Sequence, residues 1–129
     1  MIRVIPFYAA ASSIMFIGFS AYISRLRGQL HVGLGDGGAK ILQRAVRVHG
    51  NFAEFVPLAL LLMLIAELQG SPPFVVHALG VALLVARAAH AAGVYRSSGT
   101  SPGRFFGTAL TWTMILGNAG VCVYYALAS

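Results

Sequence analysis

Acidic residues are nearly absent from this chain. Asp36, Glu54 and Glu67 are the only three among 129 residues. Charge of either sign is scarce, at 9% of residues against roughly 25% in a soluble domain. With 58% of residues hydrophobic, that scarcity excludes a surface wholly turned to water and points to an integral membrane protein. The single cysteine, Cys122, excludes an intrachain disulfide. It lies in the last apolar run, far in sequence from any base, and suits a small buried hydrophobe better than a reactive thiol. No Cys/His cluster has metal-ligand spacing, and no nucleophile stands near a base. The net charge of +6 comes without a basic stripe interleaved with aromatics on a soluble scaffold, so no nucleic-acid partner is expected. The surplus is more simply a topology signal.

What the chain has in quantity is long apolar runs. A membrane-spanning helix takes about 20 mainly apolar residues. Four stretches qualify, at about 4–24, 45–68, 74–95 and 105–127, and together they make one four-helix transmembrane domain over 1–129. The first run is too long for a signal-peptide core and ends in a basic stop, so it reads as a span. A Gly-rich segment of about 20 residues, the Gly70-Ser71-Pro72-Pro73 turn and the Arg96–Arg104 loop separate the helices. Pro57 falls inside the second helix, where it is expected to kink the backbone and free a carbonyl near residue 53. The first and third loops hold Arg25, Arg27, Lys40, Arg44, Arg96 and Arg104, while the other side has only Arg3 near the N-terminus. Six basic residues against one place those loops in the cytoplasm and both termini outside.

The second helix begins with ionisable groups. Lys40, Arg44, Arg47, Asn51 and Glu54 fall within an arc of about 80° on a helical wheel and form one polar stripe descending into the membrane. Such groups are costly in a bilayer and by default face protein or a wet cavity. The third helix carries Arg87 and His90 on one face, followed by Tyr95. Arg25 closes the first helix and Arg104 opens the fourth. The topology brings all these groups to the cytoplasmic leaflet, which implies a bundle-core or inter-subunit site open to the cytoplasm. Several arginines with one acid suit a ligand carrying more than one carboxylate and one ammonium. A purely structural role is the competing reading, with Arg47–Glu54 or Arg87–Glu54 as ion pairs that lock the bundle. Glu67 and His77 read as interfacial residues near the outer side, outside the site.

Two further features carry less. Gly33-Leu34-Gly35-Asp36-Gly37-Gly38 satisfies a dinucleotide-binding pattern, but its flanks are membrane helices where the fingerprint needs a strand. A flexible loop is expected there, with Asp36 capping the second helix. Gly107, Ala109, Thr113, Gly117 and Gly120 in the fourth helix permit close helix approach.

These residues resemble the MAPEG family, the membrane-associated proteins of eicosanoid and glutathione metabolism. The match rests on Arg47-x-x-x-Asn51-x-x-Glu54 followed by Pro57 and a Leu-rich run. Arg25-Leu26-Arg27, Gly35-Asp36-Gly37-Gly38, Arg87-x-x-His90 and Pro102-Gly103-Arg104 support it, and the chain looks most like the small bacterial branch. The resemblance implies an all-α bundle of four transmembrane helices, assembled as a homotrimer in the inner membrane among its lipids. It implies glutathione bound between subunits as co-substrate, contacted by Arg25, Arg47, Asn51, Glu54, Arg87, His90 and Tyr95. Arg104 matches the arginine that stabilises the thiolate, and a lipophilic second substrate would arrive through the bilayer. The implied activity is that of a glutathione transferase or peroxidase acting on lipophilic electrophiles. The alternative is a non-catalytic protein binding a lipid or an anionic metabolite. Phe55 and Phe105 stand where eicosanoid-making members carry hydroxyls, and the register of the third-helix tyrosine is open by one residue between Val94 and Tyr95.

Overall fold

The computed structural model describes residues 2–128, and among them every regular element is a helix: α1 (Ile5–Leu30), α2 (Lys40–Leu68), α3 (Pro73–Arg96) and α4 (Pro102–Ala128). All four are long and apolar enough to cross a membrane. The helices extend past the runs read from hydropathy because their ends are polar. α1 continues six residues beyond residue 24 through Arg25 and Arg27, and α2 starts five residues before residue 45, at Lys40. Arg25 therefore lies inside α1 rather than at its end. The first loop shrinks accordingly from about 20 residues to 31–39.

Local chemistry explains each boundary. His31 takes the left-handed conformation at φ 54°, and the N–H of Val32 reaches back to the carbonyl of Arg27, the hydrogen-bond pattern that terminates a helix. Arg27 then braces the Gly-rich loop by donating from Nη1 to the carbonyls of Gly35 at 2.8 Å and Val32 at 3.3 Å. Asp36 does not cap α2, whose N-cap is Ala39 without a side-chain bond. Its carboxylate instead accepts the N–H of Gly38 at 2.9 Å, closing a turn one step too early for the helix. Gly70, at φ 86°, turns the chain after α2, and Pro73 sits in the first turn of α3, where its missing N–H costs nothing.

The packing is up-down-up-down. At one end the carboxylate of Glu67, near the end of α2, accepts the backbone N–H groups of Arg3 (2.6 Å), Val4 (2.6 Å) and Ile5 (2.9 Å). Glu67 thus supplies the acidic N-terminal cap that α1 lacks in its own sequence. At the same end the hydroxyl of Tyr8 pairs with Nδ1 of His77 at 3.0 Å. At the opposite end Arg44 donates to Oγ of Ser98 at 2.8 Å and to the carbonyl of Tyr95 at 3.2 Å, tying the start of α2 to the α3–α4 loop.

The main core lies between these ends. Phe52, Val56, Ala59 and Met63 on one stripe of α2 meet Val76 and Leu83 of α3, Tyr8 of α1 and Met114 of α4. Lipid tails are as apolar as these side chains, so close packing rather than escape from water holds such contacts. Closeness is greatest between α3 and α4. A Cβ on Gly107 would lie 2.5 Å from the carbonyl oxygen of Ala86 and from the nitrogen of His90. Gly117 and Gly120 face open space in the subunit, so among the glycines of the expected α4 stripe only Gly107 serves helix approach here. α2 is joined to α4 by Asn118 Nδ2 on the carbonyl of Ala59 (3.5 Å) and by the buried Cys122 thiol on that of Leu62 (3.3 Å).

Candidate functional site

The polar residues of α2, α3 and α4 separate into a buried layer and an open cleft. In the buried layer, Arg87 is 2% exposed. Its Nη1 donates to Oδ1 of Asn51 at 2.6 Å, and its Nη2 donates to the carbonyl of Gly107 at 3.2 Å and to Oγ1 of Thr111. The Phe55 ring lies 5.6 Å from its guanidinium carbon. These partners are all neutral. The guanidinium is therefore held by oriented dipoles and a π-face, a costly arrangement that fixes three helices in one register. Arg87 makes no pair with Glu54, which removes one of the two structural ion pairs that the sequence allows. His90 is 4% exposed, one turn along α3 beneath Gly107.

The open cleft, of about 460 Å³, lies between the start of α2 and the α3–α4 loop. Arg44, Arg47 and Arg104 line it together with Gln43, Gly50 and Ser98. Arg47 also pairs with Glu54, Nη1 to Oε1 at 3.5 Å, and both side chains remain more than half exposed. Arg104 is positioned by the start of α4, where its own N–H bonds to Oγ of Ser101 at 3.3 Å, and its Nη1 reaches the Gly99 carbonyl at 3.5 Å. Three guanidinium groups are thus presented to one space, a donor set that grips carboxylates, with Glu54 outside the lining and paired to Arg47.

The single stripe read on α2 is divided by the fold. Arg44, Arg47 and Glu54 face outward or into the cleft, while Asn51 turns inward to Arg87. Tyr95 lines a neighbouring cleft of about 470 Å³ with Phe19, Tyr22, Ile41 and Arg44. Val94, one residue earlier, faces the arginine cleft instead. Arg25 is exposed on α1 and lines neither cleft. Within one subunit the expected set is therefore gathered only in part: Arg47 and Arg104 at the cleft, Glu54 tied to Arg47, Asn51, Arg87 and His90 beneath, Tyr95 and Arg25 apart.

Sequence reasoning missed Thr111, a buried acceptor for Arg87, and the lining residues Gln43, Gly50 and Ser98. A signal for Thr111 existed. Arg104, Gly107, Thr111, Met114, Asn118 and Cys122 share one face of α4 at helical spacing, and all but Arg104 are buried. The cleft's loop serines carried no such signal.

The sequence also matches known proteins. The MAPEG family model matches residues 5–124. The chain is 38% identical over 109 residues to Inner membrane protein YecN of Escherichia coli strain K12, covering 84% of this chain and 82% of that protein. The protein of the same name from Escherichia coli O6:H1 matches to the same extent. With the family match spanning nearly the whole chain and a relative covered over most of its length, this four-helix membrane protein belongs to the MAPEG family.

Proposed function

We propose that this protein is a glutathione-dependent transferase or peroxidase of the inner membrane, acting on lipophilic electrophiles that enter from the bilayer. The observation that carries the reading is the convergence of Arg44, Arg47 and Arg104 on one cleft beside Glu54. Glutathione has two carboxylates, one ammonium and a thiol, and each finds a complementary group in that set. Arg104 is the group assigned to the thiol. A cation beside it favours the thiolate over the thiol, whose ordinary pKa is about 8.5. The thiolate sulfur then bonds to the electrophilic carbon, and the leaving group departs with its electron pair. With a peroxide the sulfur bonds to the outer oxygen, the O–O bond breaks and the alkoxide leaves as the alcohol after taking a proton, and a second glutathione converts the sulfenic acid to disulfide and water.

In this reading the chain forms a homotrimer. Arg25 of one subunit completes the cleft of its neighbour, because its own subunit leaves it exposed on α1. Both termini lie outside, and the basic end that bears the cleft faces the cytoplasm. The name of the Escherichia coli relative supports the inner-membrane assignment. A non-catalytic binding role is favoured by one observation, the placement of Tyr95 in the adjoining cleft away from Arg104.

The test is a thermal shift on the purified oligomer. Millimolar glutathione is expected to raise the melting temperature of wild type and to raise that of Arg47→Ala less. No shift in wild type would remove the glutathione reading altogether. A shift without turnover of any electrophile would favour the binding role.

A further inference from the structure

Tyr95 opens onto a cleft of about 470 Å³ that it shares with Phe19, Tyr22, Ile41 and Arg44. That volume falls in the range of small-molecule sites, about 300–1,000 Å³. Most of the wall is apolar: Phe19, Ile41 and the rings of Tyr22 and Tyr95, which meet edge to face with centroids 5.6 Å apart. Ile41 and Tyr22 stay exposed within the subunit. One cation enters this wall. Arg44 reaches both clefts, because its Nε donates to Ser98, which lines the arginine cleft, and its Nη1 to the carbonyl of Tyr95, which lines this one. Its Nη2 has no hydrogen-bond partner among the described residues and is not sealed from the surface. The hydroxyls of Tyr22 and Tyr95 are in the same condition. Lys40 is exposed one turn before Arg44 and about 40° from it around α2. Asp36, the single acidic residue between Arg27 and Arg47, is engaged by the N–H of Gly38.

We infer that this cleft holds the headgroup end of an anionic phospholipid. The Arg44 guanidinium stands at the loop end of the bundle, since it holds Ser98, beyond the last residue of α3. Phe19 lies nearly one turn deeper than Tyr22 on α1. The cleft is therefore cationic at its mouth and apolar below, the polarity of a lipid that carries its charge at one end. Basic pockets between transmembrane helices take such head groups. A phosphate oxygen accepts from Arg44 Nη2, the phenol hydroxyls donate to the same group, and the first stretch of one acyl chain lies against Phe19. Phosphate alone does not select, because zwitterionic lipids carry it too. Selection comes from the rest of the head: a choline cation beside Lys40 and Arg44 is repelled, and an uncharged glycerol head is not. The assignment does not rest on the glutathione reading.

The experiment is native mass spectrometry of the full-length protein in a neutral detergent without glutathione, given equal amounts of dioleoyl phosphatidylglycerol and dioleoyl phosphatidylcholine. Wild type is expected to retain the phosphatidylglycerol roughly fivefold or more over the phosphatidylcholine. Arg44→Gln brings the two lipids toward parity, Arg44→Lys keeps the preference, and Lys40→Gln lowers it in part. Tyr22→Ala weakens retention of both lipids. Arg104→Ala, which alters only the arginine cleft, leaves both as in wild type. Millimolar glycerol 3-phosphate does not displace the lipid, because it brings no chain for Phe19. Equal retention by wild type, or a preference untouched by Arg44→Gln, overturns the assignment. So does a loss of preference in Arg104→Ala equal to that in Arg44→Gln, which would put the lipid in the arginine cleft. Displacement by glycerol 3-phosphate would make this a site for free phosphate. A change of subunit number in Tyr22→Ala with lipid retention unchanged would give the cleft to a second copy, and either result overturns the lipid assignment. None of these results depends on whether glutathione shifts the melting temperature.

Discussion

Arg87 donates to Asn51 across 2.6 Å inside the subunit, and this bond turns Asn51 away from the cleft that Arg44 and Arg47 line on the same helix. The two residues lie 36 positions apart in sequence, on α3 and α2, and with Thr111 of α4 they fix the relative register of three helices. Removing one partner leaves a buried guanidinium short of an acceptor. Asn51→Ala is therefore expected to destabilise the subunit by about 1–3 kcal/mol, read as a lowered unfolding midpoint in detergent. Thr111→Val should act in the same direction. A midpoint unchanged by both would mean that Arg87 is satisfied some other way.

Glu67 caps α1 from the far end of α2, with three backbone N–H groups on one carboxylate. Glu67→Gln keeps the shape but removes the charge and makes one of its two acceptor sites a donor. The expected cost is about 1–2 kcal/mol, the range of a lost helix cap. Amide exchange should accelerate selectively at Arg3, Val4 and Ile5, with little change at the arginine cleft. Exchange that rises uniformly would assign Glu67 a global rather than a capping role.

Two glycines of α4 make a paired test of helix approach. Gly107→Ala places a methyl against the α3 backbone, with 2.5 Å to the Ala86 carbonyl oxygen. A cost of about 1–3 kcal/mol or more is expected from forced separation of the helices. Gly117→Ala meets nothing within 4 Å in the subunit and should be neutral or stabilising by up to about 1 kcal/mol. Unfolding midpoints of the two variants, measured side by side, check the contrast.

The Arg47–Glu54 pair is more than half exposed, so its contribution to stability is small, below about 1 kcal/mol. Its contribution to ligand binding should be larger. Arg47→Ala is expected to leave the unfolding midpoint within about a degree or two while weakening glutathione roughly tenfold, as loss of a charge-assisted contact does. Calorimetric titration on the folded oligomer separates the two effects.

The helices were legible from the sequence because apolar runs of spanning length have few other homes. Their ends were not, because Arg25, Arg27 and Lys40 are helical residues beyond the hydrophobic stretch that hydropathy detects. The α2 stripe was legible as a set of positions. Its division was not, since Asn51 and Arg47 are neighbours on the wheel and only the position of α3 decides which of them turns inward. The same holds for Glu67, whose capping role depends on α1 returning to the end of α2. Thr111 was within reach, on a face of α4 marked by Gly107 and Asn118.

Glutathione-dependent turnover of a generic electrophile by the purified oligomer, compared between wild type and Arg104→Ala at saturating glutathione, decides whether Arg104 stabilises the thiolate. Wild type is expected to turn the electrophile over, and kcat to fall tenfold or more in Arg104→Ala, about 1.4 kcal/mol of lost transition-state stabilisation, with glutathione affinity nearly unchanged. Wild-type protein that binds glutathione yet turns over no electrophile, or an Arg104→Ala variant with undiminished kcat, would contradict it.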